Sequence, residues 1–111
     1  IGHILGGTAG VPHGYTSCIM LPSVLEWNKV VNSKRQANLS QALGKPNLPA
    51  SEVLHNLIDS LGMPRRLEAV GVKQEQFEQL AENCMLDDWT FSNPRKISNP
   101  KQVLEILELA R

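Results

Sequence analysis

The chain has 111 residues, 41% hydrophobic and 20% charged, which is enough to bury one core and unlike a disordered or fibrous composition. Eleven basic and eleven acidic side chains cancel, so no net field exists to hold nucleic acid or an anionic membrane, and neither is an expected partner. The longest apolar run, Cys18 to Leu21, ends at Pro22, far below the roughly 20 residues a spanning helix needs, and nothing resembles a secretory signal.

The chain opens at Ile1 inside what reads as an element already under way, so a fragment of a longer protein is expected. His3 and His13 lie ten residues apart, separated by Leu5-Gly6-Gly7-Thr8-Ala9-Gly10-Val11-Pro12, which should end one helix, cross a tight turn and begin another. From His13 to Trp27 the pattern is helical but interrupted, because Pro22 lacks a backbone donor and its ring collides with the preceding turn; a kink or a two-piece helix is expected there. A middle helix is expected to start at a Ser33-x-x-Gln36 box and to stop at Gly44.

Val53, Leu54, Leu57, Ile58 and Leu61 form the next apolar stripe, with Pro49 near its first turn and Gly62 placed to cap it. Residues 74 to 85 carry Phe77, Leu80, Ala81, Cys84 and Met85 at helical spacing, with Glu75, Glu78, Gln79 and Glu82 opposite. The last helix is predicted from about Pro100, with Asn99 as cap, Gln102 as capping-box partner, and Val103, Ile106, Leu107 and Ala110 as its buried stripe. No segment reads as a strand. The expectation is an all-α bundle of about five or six helices over residues 1–111, forming a single helical domain.

Two imidazoles at the ends of consecutive helices are the chemically suggestive feature, since neutral imidazole binds borderline metals and shuttles protons near neutral pH. By themselves they do not encode a metal site: no acidic residue lies among the first 25, no H-E-x-x-H or C-x-x-C spacing occurs, and a metal normally takes three or four protein ligands. On residue chemistry alone, capping or packing roles fit both histidines better. Glycines 6, 7 and 10 match neither G-x-G-x-x-G nor a P-loop and are read as helix terminators. His55 receives no role, and Arg66, Lys96 and the pairs Lys34-Arg35 and Arg65-Arg66 read as solvated charges. Cys18 and Cys84 sit in apolar helical stretches as small core hydrophobes, which fits a reducing compartment and hence the cytoplasm.

Gly2-His3-Ile4-Leu5-Gly6-Gly7-Thr8 with Val11-Pro12-His13-Gly14, then Leu21-Pro22 and Trp27-Asn28, resembles the signature of iron-containing alcohol dehydrogenases. Leu61-Gly62-Met63-Pro64-Arg65-Arg66-Leu67 with Gly71-Val72, and Asn93-Pro94-Arg95 with Ile97, extend the resemblance over the whole chain. The Leu-Gly-Gly-Thr form of the first motif is closer to maleylacetate reductases than to the lactaldehyde-reductase branch, while Gly14 follows the dehydrogenase pattern.

The resemblance implies a dehydroquinate-synthase-like fold, in which an N-terminal domain binds NAD(P) and a helical C-terminal domain holds a divalent metal, Fe²⁺ or Zn²⁺. This chain would be part of the second domain. It would act on a small alcohol or carbonyl substrate, together with the N-terminal domain, in an assembly that can be a homodimer. By the same resemblance His13 is a metal ligand and His3 a catalytic group beside the nicotinamide, with Trp89 and Phe91 facing the substrate cleft. The remaining ligands and the pyrophosphate-binding turn would lie before Ile1, so the 111 residues alone are expected to bind neither metal nor cofactor and to be inactive. In maleylacetate reductases, thought to need no metal, His13 would serve the substrate pocket instead. The other reading is a truncated, non-catalytic helical interaction or regulatory module with vestigial histidines.

Overall fold

Left-handed glycines close three of the helices, and a side-chain cap opens the last one. The computed structural model describes residues 1–111 and contains helices only: α1 (Gly2–Ala9), α2 (His13–Ala42), α3 (Ala50–Ser60), α4 (Phe77–Cys84) and α5 (Pro100–Leu109). Short 3₁₀ turns at Leu67–Val70, Gln74–Gln76 and Asp88–Ser92 join them. The all-α bundle of five helices therefore agrees with the sequence. No helix is long and apolar enough to cross a membrane.

α5 starts where its cap dictates: Asn99 Oδ1 accepts from the Gln102 backbone N–H at 3.3 Å, and Pro100 occupies the first turn, where no donor is needed. The Gln102 side chain reaches one residue further back than a simple capping box, accepting from the Ser98 N–H at 2.7 Å. α3 follows Pro49 and ends ahead of Gly62, and Gly44 likewise follows α2; these two glycines have φ of 68° and 76°.

Two expectations need correction. Pro22 does not break α2: the one residue with non-helical dihedrals inside it is Asn32, at φ −137° and ψ 31°. Proline removes one hydrogen bond, and Pro22 lies in a buried stretch with Ile19, Met20 and Ser23, two of them in the main core, whereas Asn32 stands beyond that stretch. The chain does turn there. A straight helix of 30 residues would be about 45 Å long, which exceeds the 37 Å longest dimension of the molecule. Gln36 Nε2 also donates to Leu25 O at 2.8 Å, although eleven residues of straight helix would separate them by roughly 16 Å. The same amide donates to Asn32 Oδ1 at 2.8 Å, so Asn32, not Ser33, receives Gln36. The second correction concerns residues 74 to 85, whose first turn is a 3₁₀ segment before α4 begins at Phe77.

The main core joins α1, the first part of α2, α4 and α5 through Leu5, Ile19, Phe77, Leu80, Val103 and Leu107, each at most 2% exposed. Burial of a side chain of this size stabilises by about 1.5 to 3 kcal/mol. The second part of α2 and α3 pack as a hairpin with its own small interior of Ala50, Val53 and Ile58, outside that cluster. Its Ser40 hydroxyl is buried without a hydrogen-bond partner. Cys84 is fully buried and Cys18 half-buried, both as free thiols. Burial pushes the Cys84 thiol above its usual range.

Candidate active site

α1 ends at Gly10, whose φ of 67° is left-handed and closed to most L side chains. The chain reverses through Val11 and Pro12, and α2 begins at His13. Leu5 and Val11 are buried on the two sides of this turn, so the core fixes the angle between the helices. The start of α1 lies close against the first turn of α2: a Cβ at Gly2 would come within 3.1 Å of Thr16 Oγ1, and that hydroxyl donates to His13 O at 2.8 Å.

The result is one open cavity of about 460 Å³ lined by both His3 and His13, with Thr16 and Met20 from α2, Ile106 from α5, and Trp89 and Asn93 from the segment after α4. The two imidazoles at the ends of consecutive helices thus line a single cleft. Both histidines are exposed to solvent. A shallower depression, lined by Ile4, Asn83, Leu86 and Asp87, shares His3 and Trp89 with the cavity, so these two side chains form the ridge between them. Trp89 is 79% exposed and lines the wall, whereas the expected partner Phe91, although exposed, is not among the residues that line either depression.

His3 has a partner that local sequence gave no means of finding. Its Nδ1 lies 3.0 Å from Asp87 Oδ2, across 84 positions of chain. The His3 side chain is 81% exposed and that of Asp87 only 9%. The other carboxylate oxygen, Oδ1, accepts from the Trp89 backbone N–H at 3.1 Å and opens the 3₁₀ turn. That backbone bond, then the bond from His3, holds the Asp87 carboxyl below the usual carboxylate range, against the opposing effect of burial. Asn83 Nδ2 donates to Thr8 Oγ1 at 3.0 Å, which ties α1 to α4 just before that turn. The only sequence signal for Asp87 is its type: an Asp two residues before Trp89 suits a turn cap.

Behind the cavity the Trp27-Asn28 and Asn93-Pro94-Arg95 motifs meet. Asn28 and Asn93 exchange side-chain amide hydrogen bonds at 2.9 and 2.7 Å. The Arg95 guanidinium stacks 3.8 Å from the centre of the Trp27 ring and donates through Nη1 to Trp27 O at 2.8 Å. Trp27 Nε1 in turn donates to Glu105 Oε2 of α5 at 2.8 Å. These five residues clamp the wall together; among them only Asn93 lines the cavity, next to Pro94 of the same motif.

His55 lies elsewhere, in a cleft with Glu26, Ser51 and Glu52, and burial followed by Arg65 and Arg66 lowers its pKa. Arg66 and Lys96 are exposed and do not line the cavity. No three His, Cys, Asp or Glu side chains of this chain come together in a group that could hold a metal. His13 can offer one imidazole, and residues 1–111 do not complete a metal site.

The family model for the C-terminal part of the Fe-containing alcohol dehydrogenase family matches residues 1–111. Among curated proteins, the chain is 32% identical to 1,3-propanediol dehydrogenase of Citrobacter freundii over 97% of its own length and 30% of that protein's. It is 34% identical to alcohol dehydrogenase 4 of Saccharomyces cerevisiae, covering 99% of this chain and 30% of the relative. Among solved structures, 1,3-propanediol oxidoreductase superposes with a TM-score of 0.85 at 28% identity, over 99% of this chain and 31% of that one. An alcohol dehydrogenase from Oenococcus oeni gives 0.84 at 29% identity, with coverage of 99% and 31%. The chain spans about 30% of the length of the curated relatives it matches. The match over residues 1–111 shows that the chain belongs to the Fe-containing alcohol dehydrogenase family and corresponds to its C-terminal part.

Proposed function

We propose that residues 1–111 are the helical catalytic portion of an NAD(P)-dependent oxidoreductase that transfers hydride between the cofactor and a small alcohol or carbonyl compound. The observation that carries this reading is the pairing of His3 and His13 on one open cavity beside Trp89. His3, exposed and anchored on its Nδ1 side, is free at Nε2 to exchange a proton with a substrate oxygen. Trp89 supplies an apolar wall for the carbon skeleton. His13 contributes one ligand to a divalent metal, Fe²⁺ or Zn²⁺, whose other ligands come from outside these residues. When bound, the metal would supply Lewis-acid polarisation of the substrate oxygen. The nicotinamide site likewise belongs to chain outside residues 1–111, as the roughly 30% coverage of the relatives accommodates. The relatives include a 1,3-propanediol dehydrogenase and an NAD-dependent methanol dehydrogenase, which makes short alcohols the first substrates to try.

The test is His3→Ala in the longest natural chain containing these residues, assayed by NADH formation from NAD⁺ with 1,3-propanediol, ethanol and methanol. Turnover is expected to fall by about 10²-fold or more while circular dichroism is unchanged. Near-wild-type turnover would overturn the role given to His3.

A further inference from the structure

We infer that Asp87 is a positioning residue that holds the neutral His3 ring in the Nδ1–H form, leaving the Nε2 lone pair facing the cavity. The geometry is asymmetric in a way that allows one assignment. An ionised carboxylate has no proton to give, so a contact of 3.0 Å between Oδ2 and Nδ1 requires the proton on Nδ1. The carboxylate cannot turn away, because its other oxygen is held by the Trp89 N–H and its side chain is only 9% exposed. The ring it holds is 81% exposed and borders both depressions. A carboxylate fixed by its own turn thus sets the tautomer of an exposed imidazole, as a second partner does wherever an imidazole must present one chosen nitrogen.

Other ionisable groups nearby do not compete for Nδ1. Asp88 borders the shallow depression and His13 the deeper cavity, and neither is hydrogen-bonded to His3. The consequence for turnover rests on the proposed role of His3 in proton transfer; the consequence for the tautomer does not.

The experiment uses the longest natural chain containing residues 1–111, with ¹⁵N-labelled histidine, and the His3 signal assigned by its loss in His3→Ala. Long-range ¹H–¹⁵N spectra of the neutral ring should show Nδ1 protonated and Nε2 bare. In Asp87→Asn the Oδ1 atom can still accept from Trp89, so the turn survives, but the amide now presents N–H to Nδ1 and the ring should switch to the Nε2–H form. The same variant should lose about 10²-fold in kcat for 1,3-propanediol oxidation with KM little changed. Asp87→Glu should recover part of that loss, and adding Asp87→Asn to His3→Ala should have no further effect. An Nε2–H ring in the wild type, or a tautomer indifferent to Asp87→Asn, overturns the inference, as does a kcat indifferent to Asp87→Asn when His3→Ala has itself lost turnover. If His3→Ala turns over like wild type while the tautomer switches as described, the proposed function fails and the Asp87–His3 relation stands.

Discussion

Replacing Arg95 tests whether the clamp behind the cavity is energetic or merely adjacent. Arg95→Ala removes a charge-assisted hydrogen bond to Trp27 O and a cation over the Trp27 ring. The first is worth about 1.5 to 3 kcal/mol. The second is worth about 0.5 to 1 kcal/mol for a partly exposed pair, and more where the ring is dry; the ring here belongs to a residue only 5% exposed. Arg95 itself is half-buried, so solvent returns part of this, leaving an expected loss of about 1 to 3 kcal/mol. Arg95→Lys keeps the charge and loses the planar fork, and should cost about 1 to 2 kcal/mol, because a lysine cannot both stack and donate in that geometry. Urea unfolding in a Trp89→Phe background, where Trp27 is the remaining tryptophan, reads both stability and local environment. The midpoint should fall by on the order of 1 to 2 M for Arg95→Ala, with an unchanged slope. If Arg95→Lys matches the parent, shape is irrelevant and the clamp is only a point charge.

Three further outcomes follow from single features. Gly10→Ala forces a side chain into a left-handed conformation at φ 67° and should cost about 1 to 2 kcal/mol in urea midpoint analysis; no loss would mean the turn relaxes freely. Ser40→Ala removes a buried hydroxyl with no partner and should be neutral or stabilising by up to about 1 kcal/mol, whereas a loss of that size would reveal an uncounted hydrogen bond. Because the folded Asp87 binds its proton less readily than an unfolded one, its contribution is complete above the ordinary Asp value of about 3.9 and is lost as pH falls through the lower folded value. The stability gap between wild type and Asp87→Asn, measured by urea at successive pH values, should therefore close below about pH 4; a gap that widens on acidification contradicts the sign.

What could be read from the sequence was what is encoded locally. Asn99, Pro100 and Gln102 fixed the start of α5, and Gly62 the end of α3, because caps are satisfied within a few residues. The His3 and His13 pair was legible for the same reason, since a short turn between two helices leaves little choice of where their ends point. The bend in α2 was misplaced, because a proline cost of one hydrogen bond is outweighed where the helix is packed and an asparagine suffices where it is not. Asp87 escaped because no periodicity links positions 84 apart, and Phe91 was assigned with Trp89 although the turn from Asp88 to Ser92 sends only the latter to the cavity.

The reciprocal amides of Asn28 and Asn93, with the Arg95 guanidinium beside them, carry the same formal charge from mild acid to mild alkali. The back of the cleft is accordingly indifferent to acidity in the interval where imidazoles gain and lose protons. The ties between α2 and the segment after α4 therefore keep the same character across that interval, and the wall they hold keeps its spacing.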